Sequence, residues 1–154
     1  MNEFMKAAVE EAEYGVKHNH GGPFGAVIVK DGKIIARSHN KVITTNDPTA
    51  HAEINAIREA STKLKRFDLS DCELYTSCEP CPMCFSAIHW AKMKKMYYGC
   101  TRADAAVIGF DDEFIYDVIK GTAEKEQVQT EQIERESCLK AFSLWEAKED
   151  RVPY

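Results

Sequence analysis

Cysteine recurs at every third position in Thr76-Ser77-Cys78-Glu79-Pro80-Cys81-Pro82-Met83-Cys84, with a proline between the last two. Proline suits a first helical turn, where its missing N–H is no loss, so a helix is expected to open at Pro82. Positions i and i+3 of a helix lie about 60° apart, which puts Cys81 and Cys84 on one face. Their sulfurs then reach a single ion at about 2.3 Å each. Both are expected in the first turn, where the positive end of the helix dipole favours thiolate over thiol. Two thiolates need a further donor from elsewhere in the chain. His51, at the start of a separate predicted helix, offers neutral imidazole. The fold therefore has to bring two helix N-termini onto one ion.

The hydrophobic pattern outlines that fold. Met5, Val9, Ala12 and Val16 form a helical stripe over residues 3–18, which Gly21-Gly22-Pro23 turns. Ala26 to Lys30 and Lys33 to Arg37 are β-branched-rich runs either side of Asp31-Gly32, a hairpin signal. Asn46-Asp47-Pro48-Thr49 breaks the pattern, with Thr49 or a neighbour expected to cap a helix over His51 to Leu64. A strand is predicted over Glu73 to Thr76, the thiol-bearing helix to about Lys92, and a strand over Lys95 to Gly99. Asp112 to Ile119 reads as a short helix. Glu131 to Lys148 reads as a longer one that turns Ile133, Leu139, Phe142 and Leu144 to the core, and 121–130 as loop. Strands separated by helices imply α/β layering, and the hairpin makes the sheet mixed. With 154 residues the chain is expected to form one domain, large enough to bury roughly 70% of its unfolded surface.

Composition excludes several classes. Apolar residues at 44% and charged residues at 29% are the balance of a globular protein, and no apolar run approaches a membrane span. Met1-Asn2-Glu3 lacks the basic-then-apolar order of a secretion signal, so a cytoplasmic setting is expected. The net charge is -5, with 12 acidic against 6 basic residues in 111–154. Such a C-terminal third repels a polyanion, so no nucleic-acid partner and no membrane partner are expected. Six cysteines without a secretion signal point to a metal rather than disulfides. Cys72, Cys100 and Cys138 stand apart and are expected to be small buried apolar residues.

Glu53 stands at i+2 from His51, about 200° away on a regular helix, and so is poorly placed as a ligand. It is able to flank the metal and reach water there. Three protein donors with an open fourth position make a catalytic zinc site, whose metal lowers the pKa of water to about 7 while a carboxylate handles the proton. The competing arrangement is a closed structural site in which Cys78 joins Cys81, Cys84 and His51. A zinc module that only binds a partner is a further alternative, against which Glu53 counts, since a closed site has no use for an unligated carboxylate.

The spaced H-x-E and P-C-x-x-C pair is the signature of zinc nucleobase deaminases. Gly21-Gly22-Pro23-Phe24-Gly25-Ala26-Val27, Asp47-Pro48-Thr49-Ala50-His51-Ala52-Glu53 and the Thr76–Cys84 block resemble the cytidine/deoxycytidylate deaminase superfamily. The likeness runs from about Gly15 to Tyr116. Gly109-Phe110-Asp111-Asp112-Glu113-Phe114-Ile115-Tyr116 is similar to the guanine deaminase branch, as is the aromatic Tyr154. The resemblance implies a three-layer α/β/α sandwich with a mixed central sheet, in a single domain over residues 1–154. It implies one zinc per subunit and hydrolysis of guanine at C2 to xanthine and ammonia by zinc-activated water. It makes His51, Cys81 and Cys84 the metal ligands and Glu53 the proton shuttle. Asn40 would hold the purine ring, Asp112 would meet the exocyclic amine, and Phe24 would pack on the ring. Tyr154 would close the pocket of a partner subunit, with residues 120–154 exchanged in a homodimer. Guanosine deamination and tRNA adenosine deamination are the neighbouring alternatives.

Each of the secondary residues also has a structural reading. Asn40 follows a strand and suits a turn, Phe24 suits a core, and Asp112 suits a helix cap. Tyr154 suits a frayed end, and Trp90 suits packing. Gly21 to Gly25 lacks the lysine and spacing of a phosphate loop. Residues 121–140, rich in Glu and Gln, match no part of the superfamily pattern.

Overall fold

The computed structural model describes residues 2–125 and 128–154. Helix α1 (Glu3–Lys17) opens on Asn2, whose side-chain oxygen accepts the backbone N–H groups of Phe4 and Met5. Strands β1 (Gly25–Lys30) and β2 (Lys33–His39) form the hairpin. Asp31 and Gly32 in its turn take φ of 49° and 71°, as a two-residue hairpin loop requires. There follow α2 (Val42–Thr45), α3 (Ala52–Leu64), β3 (Glu73–Cys78), α4 (Pro82–Trp90) and β4 (Lys95–Cys100). Three helices close the chain: α5 (Arg102–Val107), α6 (Glu113–Lys120) and α7 (Arg135–Ala147).

The four strands lie in the order β2-β1-β3-β4, with β1 antiparallel to both neighbours and β3 parallel to β4. Alternation along β1 sends Val27 and Val29 to one face and Ala26 and Ile28 to the other. On the first face they meet Ala7 and Ala8 of α1 and Tyr75. On the second lie Ala52, Ala56 and Ala60 of α3 and Ile88 of α4. The result is the three-layer α/β/α sandwich with a mixed sheet. Close docking of α1 depends on Gly25, where a Cβ would overlap the Ala8 carbonyl oxygen.

One end of the sheet collects the site. There β1 begins at Gly25, β2 ends at His39, and the parallel strands β3 and β4 end at Cys78 and Cys100. The Gly25 N–H donates to Ser77 Oγ at 3.0 Å, and the Asn40 N–H to the Phe24 carbonyl at 3.0 Å, tying the loops together.

Several expectations are corrected. Thr49 does not cap α3; the cap position is His51, while Thr49 closes a turn on Asp47 Oδ1 at 2.8 Å. Cys100 and Cys138 are exposed, and of the isolated cysteines only Cys72 is buried. Helix α7 starts at Arg135 rather than Glu131. Ile133, Phe142 and Leu144 are exposed and Leu139 is half-buried. The reason is tertiary: α7 buries no residue against the sheet of its own chain. Residues 126 and 127 of the expected 121–130 loop lie outside the described residues.

Candidate active site

His51 and Cys81 are both helix N-caps in extended backbone, with φ/ψ of -69°/158° and -65°/168°, and neither side chain caps its own helix. Imidazole and thiol turn toward each other instead. His51 Nδ1 stands 3.5 Å from Cys81 Sγ and 3.5 Å from Cys84 Sγ. Cys81 thus precedes the first turn expected to hold it, but Cys84 still lies three residues on and on the same side. Donors at zinc distances on the corners of a tetrahedron stand about 3.5 Å apart, so one imidazole and two sulfurs fit the ion the spacing implies. Among the described residues, His51, Cys81 and Cys84 form the group of mutually close donors. Cys78 is turned away, its Sγ directed at the Thr101 carbonyl at 3.6 Å. Burial pushes its thiol up to about 11.

The electrostatics are polarised. A hydrogen bond from Cys84 outweighs burial and, with one from His51, pulls the Cys81 thiol down to about 4. The same Cys84–Cys81 bond, with burial, pushes Cys84 strongly up. The hydrogen bond to Cys81 raises His51 against the effect of burial. A metal takes both sulfurs as thiolates, so binding releases the proton that the raised thiol of Cys84 favours.

Glu53 occupies the first turn of α3 and is only 5% exposed. The single Thr76 hydroxyl proton is shared between its Oε1, 3.0 Å from Oγ1, and the Cys78 carbonyl at 3.1 Å. Burial raises its proton affinity. The expected 200° separation from His51 does not apply, because His51 lies in extended backbone before the helix, and both residues line one cleft. Thr76 was not readable as a partner of Glu53: a β-branched residue in a strand signals burial, not the direction of its hydroxyl.

The cleft, of about 330 Å³, is also lined by Phe24, Phe110 and Asp112. Phe24 and Phe110 meet edge to face with centroids 5.0 Å apart. Asp112 is the N-cap residue of α6 yet makes no side-chain cap bond, and burial raises its carboxyl. Asn40 is 4% exposed and lines an adjoining hollow with Phe24 and His51. Its Oδ1 accepts from the Val42 N–H at 3.1 Å. Gly21 packs so closely on Asn40 that a Cβ would overlap that oxygen. Tyr154 is elsewhere: it is exposed, beside Trp90 and Phe67, each with ring centroids 6.1 Å away. Trp90 is 66% exposed and so is not packed in the core.

Fold and donor set together define a class: α/β/α proteins with three donors that could hold a metal ion and a buried carboxylate beside them. Residues 1–100 match the family of the cytidine and deoxycytidylate deaminase zinc-binding region. The chain belongs to this deaminase family. Guanine deaminase of Bacillus subtilis (strain 168) is 53% identical over 142 residues, 92% of this chain and 91% of that protein. The X-ray structure of the Bacillus subtilis guanine deaminase matches with a TM-score of 0.94 and 50% identity, covering 100% of this chain and 99% of the other. A tRNA-specific adenosine deaminase of Agrobacterium fabrum is 37% identical, over 82% of this chain and 88% of its own length. A guanine deaminase structure from Nitrosomonas europaea matches at TM-score 0.67 and 35% identity, over 71% of this chain and 63% of that one.

Proposed function

We propose that this chain is a zinc-dependent guanine deaminase, converting guanine and water to xanthine and ammonia. The observation that carries the reading is that His51, Cys81 and Glu53 line one aromatic-walled cleft, with Cys84 grouped against His51 and Cys81. Likeness to a guanine deaminase over the whole chain supports the base as substrate.

His51 Nδ1 and the sulfurs of Cys81 and Cys84 would hold the ion. Zinc, when bound, supplies a Lewis acid that lowers the pKa of water to about 7. In the net change a C2–O bond forms and the C2–N bond to the exocyclic amine breaks. Glu53 takes a proton from the attacking water, passes it to the ring nitrogen beside C2, and delivers another to the departing amine. The Thr76 hydroxyl keeps it in one orientation and burial holds its proton affinity high, which suits a group that must both accept and donate. Asp112 receives the N–H groups of the exocyclic amine. Asn40, its oxygen occupied by Val42, has its NH2 left to donate to an acceptor on the purine. Phe24 packs on the ring.

The working unit in this reading is a homodimer that exchanges residues 120–154. The support is the position of Tyr154 away from its own cleft, the exposed apolar side chains of α7, and exposed Tyr97 and Tyr98 on edge strand β4. Tyr154 then closes the partner's cleft. The reaction belongs to purine catabolism, in a cytoplasmic setting.

The test is an ultraviolet assay of the purified, zinc-loaded protein against guanine, guanosine, adenine, cytosine and cytidine. Guanine turnover is the expected result. Turnover of guanosine alone would move the reading to the nucleoside, and loss of amine from adenosine in tRNA would move it to the editing enzymes.

A further inference from the structure

Arg102, the first residue of α5, lies on the wall of the cleft and has no part in the chemistry above. Its side chain joins two segments. Nε faces Glu79 Oε1 at 3.5 Å, and a terminal guanidinium nitrogen faces Glu113 Oε2 at 3.4 Å. The guanidinium carbon lies 4.0 Å from the ring centroid of Tyr116. Two further bonds run alongside: the Arg102 backbone N–H donates to Glu79 Oε2 at 3.1 Å, and the Tyr116 hydroxyl donates to the Pro80 carbonyl at 3.2 Å.

Glu79 and Pro80 immediately precede the metal donor Cys81. Glu113 and Tyr116 follow Asp112 on α6. The brace therefore spans from the segment that carries a metal donor to the segment that carries Asp112. Helix α6 has no fully buried residue, and Tyr116, Asp117 and Val118 on it are half-buried, so its register leans on contacts such as this brace. Isolated ion pairs at this exposure add little to stability. Here, however, two carboxylates and a ring converge on one planar group, a geometry that a flexible ammonium cannot reproduce.

We propose that Arg102, stacked on Tyr116, is a positioning residue that sets Asp112 at a fixed distance from the His51–Cys81–Cys84 centre and so orients the exocyclic amine. The inference rests on the role given to Asp112 in the proposed function. Misplacing a reacting group by an ångström is enough to cost orders of magnitude in rate, and the brace lies outside both hydrophobic cores.

The test is a double-mutant cycle in kcat/KM on the zinc-loaded protein, with Arg102→Lys, Asp112→Asn and the pair. Arg102→Lys is expected to lose about 10-fold while zinc stoichiometry and Tm stay at the parent values. In the Asp112→Asn background the same change is expected to cost less than about 2-fold, since its effect runs through Asp112. Glu113→Gln keeps the side chain's length and removes the charge that one guanidinium nitrogen faces; it should show the same non-additivity, and it decides the matter if Arg102→Lys does not fold. Losses that multiply independently would overturn the clamp, as would an Asp112→Asn variant as active as the parent. A parent that turns over neither guanine nor guanosine removes the proposed function and the clamp with it. An active parent with independent losses removes the clamp alone.

Discussion

At the residue scale the site depends on two side chains at N-cap positions that leave their own helices uncapped. His51 and Cys81 forgo local hydrogen bonds and face each other across 3.5 Å. Cys81→Ala removes one of three donors and leaves Cys84 beside His51. It should abolish both stoichiometric zinc and turnover, measured by metal analysis alongside the ultraviolet assay; full zinc content in that variant would exclude Cys81 as a ligand. Glu53 is different in kind, because it is buried on Thr76 and stands outside the donor group. Glu53→Gln keeps the shape and the bond from Thr76 but cannot carry a proton. Turnover should fall at least about 10²-fold with zinc retained. Zinc loss would instead make Glu53 a ligand.

At the element scale the sequence was most legible where an argument is local. The Asp31-Gly32 hairpin and the helix opening at Pro82 each follow from a few neighbouring residues, and both stand as expected. The cap of α3 was misread because Asp47-Pro48-Thr49 makes its own turn, which exhausts Thr49 before the helix begins. How α1 docks was not legible at all. Its Glu11 accepts from Arg37 Nε at 2.7 Å and lies 2.8 Å from His39 Nδ1 at the end of β2, residues far away in sequence. Burial alone would raise the Glu11 carboxyl, but the bonds to His39 and Arg37 overcome it and leave it below the ordinary value. A carboxyl lowered by folding adds stability above its unfolded pKa of about 4.3 and loses that stability as pH falls through the lower folded value. The parent Tm should therefore fall more steeply than that of Glu11→Gln as pH drops below about 4.3. Parallel curves would remove Glu11 from the acid response.

At the scale of the whole molecule, the C-terminal third behaves unlike the rest. Residues 2–100 pack into two cores either side of the sheet, whereas α6 and α7 have no fully buried residue. Apolar Phe142, Leu144 and Trp145 are exposed on α7, and Tyr154 is remote from the cleft of its own chain. Deleting residues 150–154 should cut turnover by about an order of magnitude with zinc still bound. An unchanged rate would separate the tail from catalysis. Sedimentation of the intact protein as a monomer at assay concentration would remove the exchanged dimer.

By itself the sequence determined the layered fold from periodicity, the pairing of Cys81 with Cys84 from spacing within one helical turn, and the candidacy of His51 from the H-x-E pattern that accompanies that pair. Only the tertiary structure decided that Cys78 faces away from the cluster of His51, Cys81 and Cys84, that Thr76 holds Glu53, and that Arg102 spans from the segment before Cys81 to α6. Those choices depend on the directions of side chains brought together from separate strands and helices, which no local pattern encodes. The same holds for α7: its apolar residues announce that they must be buried, but a stripe of hydrophobic side chains does not say against which surface.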